Sequence, residues 1–503
     1  MTAMKGEEEM PRKQFIWIMT DSTGSNMVGC YGSSIRTPNI DAMAGRGLRF
    51  ERAYTCQPVC GPARSALFTG LYPHSNGSWG NCMPLGADVK TIGQRLSEAG
   101  FACGYIGKWH LDGGDYFGYG VCPEGWEEKY WYDMKRYLDE LTPEERRFSR
   151  DAGASDHNLP PEFLYGHRVT DRALAFMEEH RDDDYFLVVS YDEPHGPSLS
   201  PEPFAHMYDA MQCGDSPAAL DSLADKPAYQ RVWAEKAGGL DPAARNPGVW
   251  PRLAACQSFI DSEIGRVLDR ARLVAPDALR LYTADHGDAG HMHGLYAKGP
   301  AVYDEIARVP LIFEGPGVPP RAAYPHVVSQ IDLPATVLDW FGLRRPVMLE
   351  GQSLLPQLRD PALPTGRPAH VEFARYEIDH DGFGGFQPMR AVITDDFKLA
   401  LHLLDTDEFY DTRHDPFDLV NRIGDGGLAA ERDALHDELL DWMDRTRDPF
   451  RGYQWACRPW RRDKTPSWDA DGFTRQREND PGEYRQLDYS TGLTMESATR
   501  GKA

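Results

Sequence analysis

The sequence predicts an α/β protein in which helices flank a large mixed, mostly parallel sheet, followed by a smaller C-terminal α+β domain with an antiparallel sheet. Two observations support the large sheet. Segments of helical periodicity alternate with short apolar runs, as expected for strand–helix alternation. Continuous apolar runs of this length are typical of strands buried on both faces of a parallel sheet. They occur at 15–19, 101–106, 185–190, 281–283 and 309–313.

Helix signals account for the segments between these strands. Thr37 is predicted to cap a helix that runs to Ala44, with Pro38 at its first position. A second helix spans Val89–Ala99 and stops at Gly100. Further helical segments are predicted from Met134, at Arg168–His180, at Leu253–Leu273 and up to Trp340.

The C-terminal part of the chain has a different pattern. A Pro- and Gly-dense stretch at 343–368 is predicted to be a linker. Beyond it we predict a helix over Leu428–Arg445 and four short strands, at 370–376, 389–394, 399–404 and 408–410. The predicted division is a flexible N-terminus (1–13), a large domain (14–364), an α+β subdomain (365–446) and a tail (447–503). The tail is rich in tryptophan and arginine, and we expect it to pack on the domain or on a neighbouring subunit.

Composition excludes several kinds of partner. A formal net charge of −23 over 503 residues argues against nucleic acid or an anionic membrane as the binding partner. The first residues are acidic and polar, with no apolar segment of the secretory type. The nine cysteines are scattered and odd in number, which suits free thiols in a reducing cytoplasm. We therefore expect a cytoplasmic protein.

A cysteine at a predicted helix start is the first candidate for chemistry. Pro62 suits the first turn of a helix that runs through Leu67, so that Cys60 lies at its N-terminus. Free N–H groups and the helix dipole favour an anion there, and Arg64 adds a positive charge one turn later. Cys60 is either a nucleophile beside an anion-binding site or a buried structural cysteine.

Polar residues follow four of the predicted strands, at the edge where open α/β sheets bind ligands. Each group also has a structural interpretation: a turn-forming aspartate, a lysine with a buried stem beside a core histidine, or a capping Asp–His pair. His195 lies between two prolines in a stiff loop, which suits a pre-positioned donor. The residues at the strand ends are Asp21, Lys108, His110, His195, Asp285 and His286.

The motifs together resemble the formylglycine-dependent sulfatases of the alkaline phosphatase superfamily. The resemblance begins with Cys60-x-Pro62-x-Arg64 and continues to His74. Gly107-Lys108-Trp109-His110, Pro194-His195-x-Pro197 and the segment from Lys298 to Pro310 match further motifs in family order. It extends from about Gln14 to about Arg447 and is similar in particular to uncharacterised bacterial sulfatase-like proteins. It implies an alkaline-phosphatase-like fold and makes 14–364 the catalytic domain.

The resemblance implies a metal site. Its ligands would be Asp21, Asp285, His286 and residue 60, with Ser22 as an additional candidate ligand. Most sulfatases have a second acidic or amide residue where this chain has Ser22, and many have Asn where it has His286. Ca²⁺ is the expected cation, and the imidazole keeps Mg²⁺ and Mn²⁺ compatible with the site.

The resemblance also implies catalytic roles. Cys60 would be oxidised by a formylglycine-generating enzyme to 3-oxoalanine (formylglycine), whose hydrate attacks sulfur. Lys298 and His195 would act on the leaving oxygen, and His110 would remove the proton that releases sulfate. Arg64 and Lys108 would hold the hydrate and the anion. Ala63 replaces the usual serine of the signature, whereas its Cys, Pro and Arg are all present.

Three functions fit these residues. The first is a sulfatase that hydrolyses a small or carbohydrate sulfate ester. The second is a phosphonate monoester or phosphodiester hydrolase of the same superfamily, and the third is an anion-binding protein without activity. Filled catalytic positions favour an enzyme, and the tail is compatible with a homo-oligomer.

Overall fold

The computed structural model describes residues 12–114, 116–211, 216–241, 245, 248–377, 385–461 and 463–464. Twelve strands are present in this part of the chain: β1 Gln14–Asp21, β2 Leu48–Tyr54, β3 Ala102–Gly107, β4 Tyr185–Pro194, β5 Leu279–Ala284, β6 Arg308–Val309, β7 Leu311–Glu314, β8 Ala322–Ser329, β9 Ala369–Phe373, β10 Met389–Ile393, β11 Phe397–His402 and β12 Glu408–Asp411. The α-helices are α1 Pro38–Arg46, α2 Cys60–Thr69, α3 Pro73–Asn76, α4 Ile92–Glu98, α5 Met134–Asp139, α6 Pro143–Phe148, α7 Tyr165–Glu179, α8 Ala228–Lys236, α9 Val249–Val274, α10 Asp304–Ala307, α11 Asp332–Trp340, α12 Leu355–Arg359, α13 Ala429–Arg445 and α14 Tyr453–Ala456. Short 3₁₀ turns occur at Ser25–Met27, Gly29–Tyr31, Ala152–His157, Pro161–Phe163, Pro217–Leu220, Met292–Gly294 and Gly426–Leu428.

The large sheet has eight strands in the order β3-β4-β1-β5-β7-β2-β6, with β8 paired to β2. β3, β4, β1 and β5 are mutually parallel, as are β2 and β8, whereas β7 runs antiparallel to both β5 and β2. β9 to β12 form a separate antiparallel sheet. The predicted fold class, a mostly parallel mixed sheet with a C-terminal antiparallel sheet, is therefore confirmed.

Helices cover both faces of the large sheet because the residues of β1 alternate between them. Trp17 packs in a core with Phe68 of α2 and Val337 of α11. On the opposite face, Ile16 and Ile18 join a second core with side chains from α1, α7 and α9. Every residue of β1 is buried, which explains its continuous apolar run.

Two strands of the large sheet were not predicted from the sequence. β2 carries Arg49, Glu51 and Arg52 on partly buried positions, and its apolar residues alternate with these charges. β8 contains Pro325 and a mixture of exposed and buried residues. Both strands tolerate these residues because each is only partly buried, and β8 pairs with β2 alone among the described strands, so that its proline lies in an edge strand.

Thr37 occupies the N-cap position of α1, as predicted, but its hydroxyl does not cap the helix. The carboxylate of Asp261, on α9, accepts hydrogen bonds from the backbone N–H groups of Asn39 and Ile40 at 3.1 and 2.9 Å. A neighbouring helix therefore satisfies these first-turn donors.

The C-terminal sheet shares an apolar core with the large sheet, in which Tyr54 and Val327 pack with Val371. The predicted linker includes α12, whose Leu355 and Leu358 belong to the main core. The described part of the tail packs on the C-terminal sheet, where Trp455 is buried. Residues 1–11 and 465–503 lie outside the described residues. Within the described chain, no helix combines the length and apolarity needed to cross a bilayer.

Candidate active site

The candidate site forms at one edge of the large sheet, where the carboxyl ends of four adjacent parallel strands meet the start of α2. Asp21 is the last residue of β1, and Asp285 follows β5 directly. Lys108 follows β3, and His195 follows β4. Cys60 is the first residue of α2. The residues predicted at separate strand ends therefore lie together, because parallel strands place their carboxyl ends at the same edge of the sheet.

Four buried side chains converge on one point at this edge. Ligand atoms of Asp21, Cys60, Asp285 and His286 all lie within 4.8 Å of one another. The Nδ1–H of His286 can donate to the Gly287 carbonyl oxygen at 2.8 Å, which turns Nε2 toward the Cys60 Sγ, 3.2 Å away. The cluster thus offers two carboxylates, one imidazole nitrogen and one sulfur atom.

Arg64 joins the two carboxylates of this cluster. Its Nη2 donates to Asp21 Oδ2 and its Nε donates to Asp285 Oδ2, each at 3.0 Å. Its Nη1 donates to the Ser190 hydroxyl and the Lys108 carbonyl oxygen at 2.8 and 2.6 Å. The guanidinium is completely buried, so that it orients both carboxylates rigidly.

Two buried lysines lie beside the cluster. Lys108 Nζ lies 2.8 Å from Asp21 Oδ2 and 3.0 Å from Asp192 Oδ1. Lys298 Nζ donates to the Ser22 hydroxyl at 3.4 Å. Burial acts against the charged form, but nearby negative groups hold the pKa of both lysines above the ordinary value. Both ammonium groups are therefore held in the charged form, and Lys108 is shared between two carboxylates.

Ser22 connects the carboxyl ends of β1 and β5. Its backbone N–H donates to Asp285 Oδ1 at 3.1 Å, and its hydroxyl donates to Asp21 Oδ1 at 2.9 Å. Its φ of +63° lies in the left-handed region, which costs energy for a residue with a Cβ. The hydrogen bonds to the two carboxylates hold Ser22 in this conformation.

His110 also has a left-handed backbone, with φ at +61°, and only 6% of its surface is exposed. Neither ring nitrogen has a hydrogen-bond partner among the described residues. A Cβ placed on Gly61 would lie 3.5 Å from the His110 carbonyl oxygen, so the His110 backbone borders the start of α2. A buried imidazole with both nitrogens unsatisfied is available to a ligand or a proton.

Two further residues, Tyr116 and Asp192, belong to the site without a role predicted from the sequence. The Tyr116 hydroxyl hydrogen-bonds to Asp192 Oδ1 and lies 3.1 Å from His195 Nδ1. The Tyr116 ring stacks on the His195 ring with centroids 5.0 Å apart. Tyr116 and Asp192 thereby connect His195 to Lys108. Tyr116 carries no local sequence signal because its contacts join a glycine-rich loop to a strand end, and the sequence at Asp192, near the end of β4, is compatible with either a supporting or a surface position.

The mixed charges of the cluster shift its pKa values in opposite directions. Burial acts to raise the pKa of both carboxylates. In Asp21 this is outweighed by Lys108, His195 and Arg64, whose positive charges hold its pKa well below the usual range. Burial and the charge of Asp21 raise the pKa of Asp285 to about 7.

The shifts at Cys60 and His286 follow the same charges. Burial opposes the imidazolium form, but Asp285 and Cys60 raise the pKa of His286 to about 9. Burial and Asp21 oppose the thiolate, yet Lys108, Lys298 and His286 hold the pKa of Cys60 well below its usual value. An anion at position 60 is therefore favoured by its surroundings.

The sulfatase family model matches residues 13–343, and the model of the C-terminal region of N-sulphoglucosamine sulphohydrolase matches 291–445. The chain belongs to the sulfatase family. It is 42% identical, over 96% of this chain and 97% of the relative, to the protein named uncharacterized sulfatase YidJ of Escherichia coli K12. This sulfatase is accordingly an enzyme that acts on sulfate esters.

Two solved structures share the fold. One is a protein bound to its substrate D-glucosamine-2-N,6-O-disulfate, with a TM-score of 0.71, 20% identity, and coverage of 87% of this chain and 99% of that one. The other is a phosphonate monoester hydrolase from Silicibacter pomeroyi, with a TM-score of 0.72, 22% identity, and coverage of 87% and 96%. At these identities both show the fold alone.

Proposed function

We propose that this sulfatase cleaves the sulfate ester of a small or carbohydrate alcohol with a formylglycine made from Cys60 and with Ca²⁺ as the divalent cation. The observation that carries the proposal is the convergence of four ligand atoms within 4.8 Å, beside two buried lysines. A sulfate ester needs a cationic cradle, an oxygen nucleophile and a proton donor at the leaving oxygen. Each requirement has a candidate side chain at this edge of the sheet.

The donor set fits a hard divalent cation. Asp21 and Asp285 offer carboxylate oxygens, and the orientation of His286 leaves its Nε2 toward the cluster. Ser22 adds a hydroxyl within hydrogen-bond distance of Asp21. A bound cation would neutralise charge on the sulfate oxygens. The imidazole keeps Mg²⁺ and Mn²⁺ as alternatives, which metal analysis would separate.

Position 60 fits the proposed modification. The Cys, Pro and Arg of the modification motif are present, and Cys60 starts a helix beside positive groups. The aldehyde hydrate would supply an oxygen nucleophile and a second hydroxyl group for the release of sulfate. The partner that this requires is a formylglycine-generating enzyme.

The remaining residues would handle the anion and the protons. Lys108 and Arg64 would hold the sulfate and the group at position 60 in place. Lys298 and His195 would donate to the leaving oxygen. His110, whose ring nitrogens have no partner among the described residues, would accept the proton that accompanies sulfate release.

A phosphonate monoester or phosphodiester hydrolase is the second candidate function. The specific observation in its favour is the donor set, in which His286 and Ser22 replace the amide and second acidic ligands that are common in sulfatases. The same cationic cradle suits a phosphorus ester. Only relative rates distinguish the two substrates.

The decisive experiment compares p-nitrophenyl sulfate with the phosphate monoester, phosphate diester and phenylphosphonate of the same phenol. The sulfate should be the preferred substrate, and a larger kcat/KM for the diester or phosphonate would favour the second function. Mass spectrometry of the peptide that contains Cys60 should find the aldehyde. A fully unmodified thiol in active enzyme would overturn the proposed nucleophile.

We further propose a reducing cytoplasm as the location, which suits free thiols such as Cys30, Cys56 and Cys103. A homo-oligomer is also proposed, and it would place the tail near a neighbouring subunit. Light scattering of the full chain and of a chain ending at Asp448 would test the role of the tail in assembly.

A further inference from the structure

We propose that Arg150 forms a subsite for a second anionic group on the alcohol part of the substrate. The natural substrate would then be a sulfate ester that also carries a carboxylate or another sulfate. This inference rests on the proposed function, because it places the alcohol beside His195. It identifies a chemical class of substrate that the catalytic motifs do not specify.

Arg150 is held in place by aromatic side chains and one carbonyl group. It lies in the turn after α6, and its guanidinium carbon is 5.5 Å from the ring centroid of Tyr116 and 5.4 Å from that of Phe117. Its Nη2 donates to the Gly196 carbonyl oxygen at 3.2 Å. The side chain is half-buried, so it is both positioned and accessible. A guanidinium held near aromatic rings by cation–π contacts keeps N–H donors free for oxyanions.

The location of Arg150 is on the leaving-group side of the site. Gly196 directly follows His195, the residue proposed to donate to the leaving oxygen. Tyr116, which supports Arg150, also contacts the His195 ring and has Lys108 Nζ 4.1 Å from its ring centroid. Arg150 therefore borders the region where the alcohol portion would extend from a sulfate held at Lys108.

The guanidinium has unused donors, and the negative group that it influences among the described residues, the Asp192 carboxylate, lies beyond ion-pair distance. Arginine has five N–H donors, and the described contacts use one of them. No carboxylate among the described residues forms an ion pair with Arg150, whereas its neighbour Arg147 pairs with Glu144 at 3.1 Å. The nearby carboxylate of Asp192 is already paired with Lys108 and Tyr116.

A purely structural role is the competing explanation. The hydrogen bond to Gly196 could serve only to hold the loop that carries His195. In that case, loss of Arg150 would weaken the binding of every substrate equally. A subsite instead predicts a selective loss for substrates with a second negative charge, so the ratio of affinities decides between the two.

The test uses holoenzyme and measures inhibition of p-nitrophenyl sulfate turnover by matched aryl sulfates. Phenyl sulfate carries one anion, whereas the meta and para isomers of carboxyphenyl sulfate and phenylene disulfate carry two. At least one dianion should bind about tenfold more tightly than phenyl sulfate, the factor expected for one charge-assisted hydrogen bond. The carboxylate and disulfate series show which oxyanion is preferred.

Variants of the arginine complete the test. Arg150→Ala should reduce the preference for the dianion to about one, and Arg150→Lys should retain part of it because the charge remains. Arg147→Ala removes an exposed arginine from the same segment and should leave both turnover and preference unchanged. A preference that survives Arg150→Ala, or an equal loss for phenyl sulfate and the dianions, would overturn the subsite.

Two outcomes separate this inference from the proposed function. A wild-type enzyme that cleaves p-nitrophenyl sulfate but prefers no dianion refutes the subsite alone. A wild-type enzyme that does not cleave it refutes the proposed function, and calorimetric titration with the same aryl sulfates then still measures the preference. An unchanged melting temperature in Arg150→Ala would confirm that the comparison concerns folded protein.

Discussion

Two groups of largely buried charges in the described part of the chain differ in how their charged atoms are arranged. At the sheet edge, ligand atoms of Asp21, Cys60, Asp285 and His286 face one another. The second group, which we name the C-terminal charge cluster, joins the segment after residue 217 and the loop before α10 to β11. It contains Asp221, Lys226, His293, Asp304, Lys398 and Asp418.

In the C-terminal charge cluster, positive groups meet negative ones directly. Lys398 Nζ donates to Asp304 Oδ1, Asp418 Oδ2 and the Val302 carbonyl oxygen at 2.6, 2.7 and 3.2 Å. All three donors of this ammonium group are used. Lys226 similarly contacts Asp221, at 2.5 Å.

The comparison teaches that buried charge alone does not indicate a catalytic site. The C-terminal charge cluster holds segments together through ion pairs, although Asp418 Oδ1 has no hydrogen-bond partner among the described residues. The sheet edge keeps acceptor atoms facing one another and leaves the His110 ring without a hydrogen-bond partner among the described residues. Convergence of several ligand atoms on one point, rather than the presence of unpaired polar atoms, is therefore the feature that indicates a ligand.

The largest effect is expected at position 60. Cys60→Ala should abolish sulfate ester hydrolysis, because the modified side chain supplies the nucleophile. The free energy of unfolding should change by no more than about 1 kcal/mol, since the side chain is small. Kinetic assays and urea unfolding would measure both. Cys56→Ala, which removes another buried thiol four residues earlier, is the control and should stay active. Residual turnover in Cys60→Ala would contradict the assignment.

Asp285→Asn should remove the cation and lower kcat/KM on the order of a thousandfold, because one of two carboxylate ligands loses its charge. Metal content by mass spectrometry and kinetics would be measured on the same samples. Asp288→Asn neutralises a nearby buried carboxylate outside the cluster and should retain the metal. One tightly bound equivalent in Asp285→Asn would show that the ligands lie elsewhere.

Lys398→Met should have the reverse profile, with stability lost and metal binding kept. Removing one partner of a buried ion pair leaves uncompensated charge and costs about 3–5 kcal/mol. The free energy of unfolding in urea and the metal content of the folded protein test this. The double variant Lys398→Met/Asp418→Asn should recover part of the loss. A fall in metal content without a loss of stability would contradict the assignment of Lys398 to a structural role.

A smaller effect on the free energy of unfolding is expected when the pH is lowered, because of a histidine in the C-terminal region. His436 is buried, its Nε2 donates to the Trp455 carbonyl oxygen at 2.7 Å, and burial lowers its pKa to about 4. In the unfolded chain this imidazole has an ordinary pKa of about 6.5. Its contribution to the free energy of unfolding is therefore fully present above pH 6.5 and is lost as the pH falls toward 4. At pH 5 the loss should be about 2 kcal/mol.

Urea unfolding at pH 7 and pH 5 would measure this loss. His436→Asn should flatten the dependence between these values, because no imidazole remains to take up a proton. His414→Asn removes an exposed imidazole from the same region and serves as the control. A steep dependence that persists in His436→Asn would assign the effect to other groups.

Much of the architecture follows from local patterns in the sequence. Strands such as β1 and β4 are buried on both faces, so their apolar runs are continuous and easily recognised. The predicted helix Leu428–Arg445 agrees closely with α13. One face of this helix is buried, so its apolar residues recur at helical spacing in the sequence. β2 and β8 escaped prediction because their partial burial permits charges and proline.

The candidate site divides in the same way. The strand-end residues and Cys60 were predicted because strand order brings carboxyl ends together and the motif surrounds the helix start. Tyr116, Asp192 and Arg150 were not, since their importance depends on contacts between segments far apart in the chain.

The sequence by itself determined the fold class, the family and the residues at the strand ends. Only the tertiary structure decided that Arg64 spans both carboxylates, that Lys108 is shared between Asp21 and Asp192, and that Arg150 has no ion-pair partner among the described residues. The physical reason is that periodicity and motifs encode which face of an element is buried. The pairing of charges depends instead on distances between elements, which are set when the sheets and helices pack together.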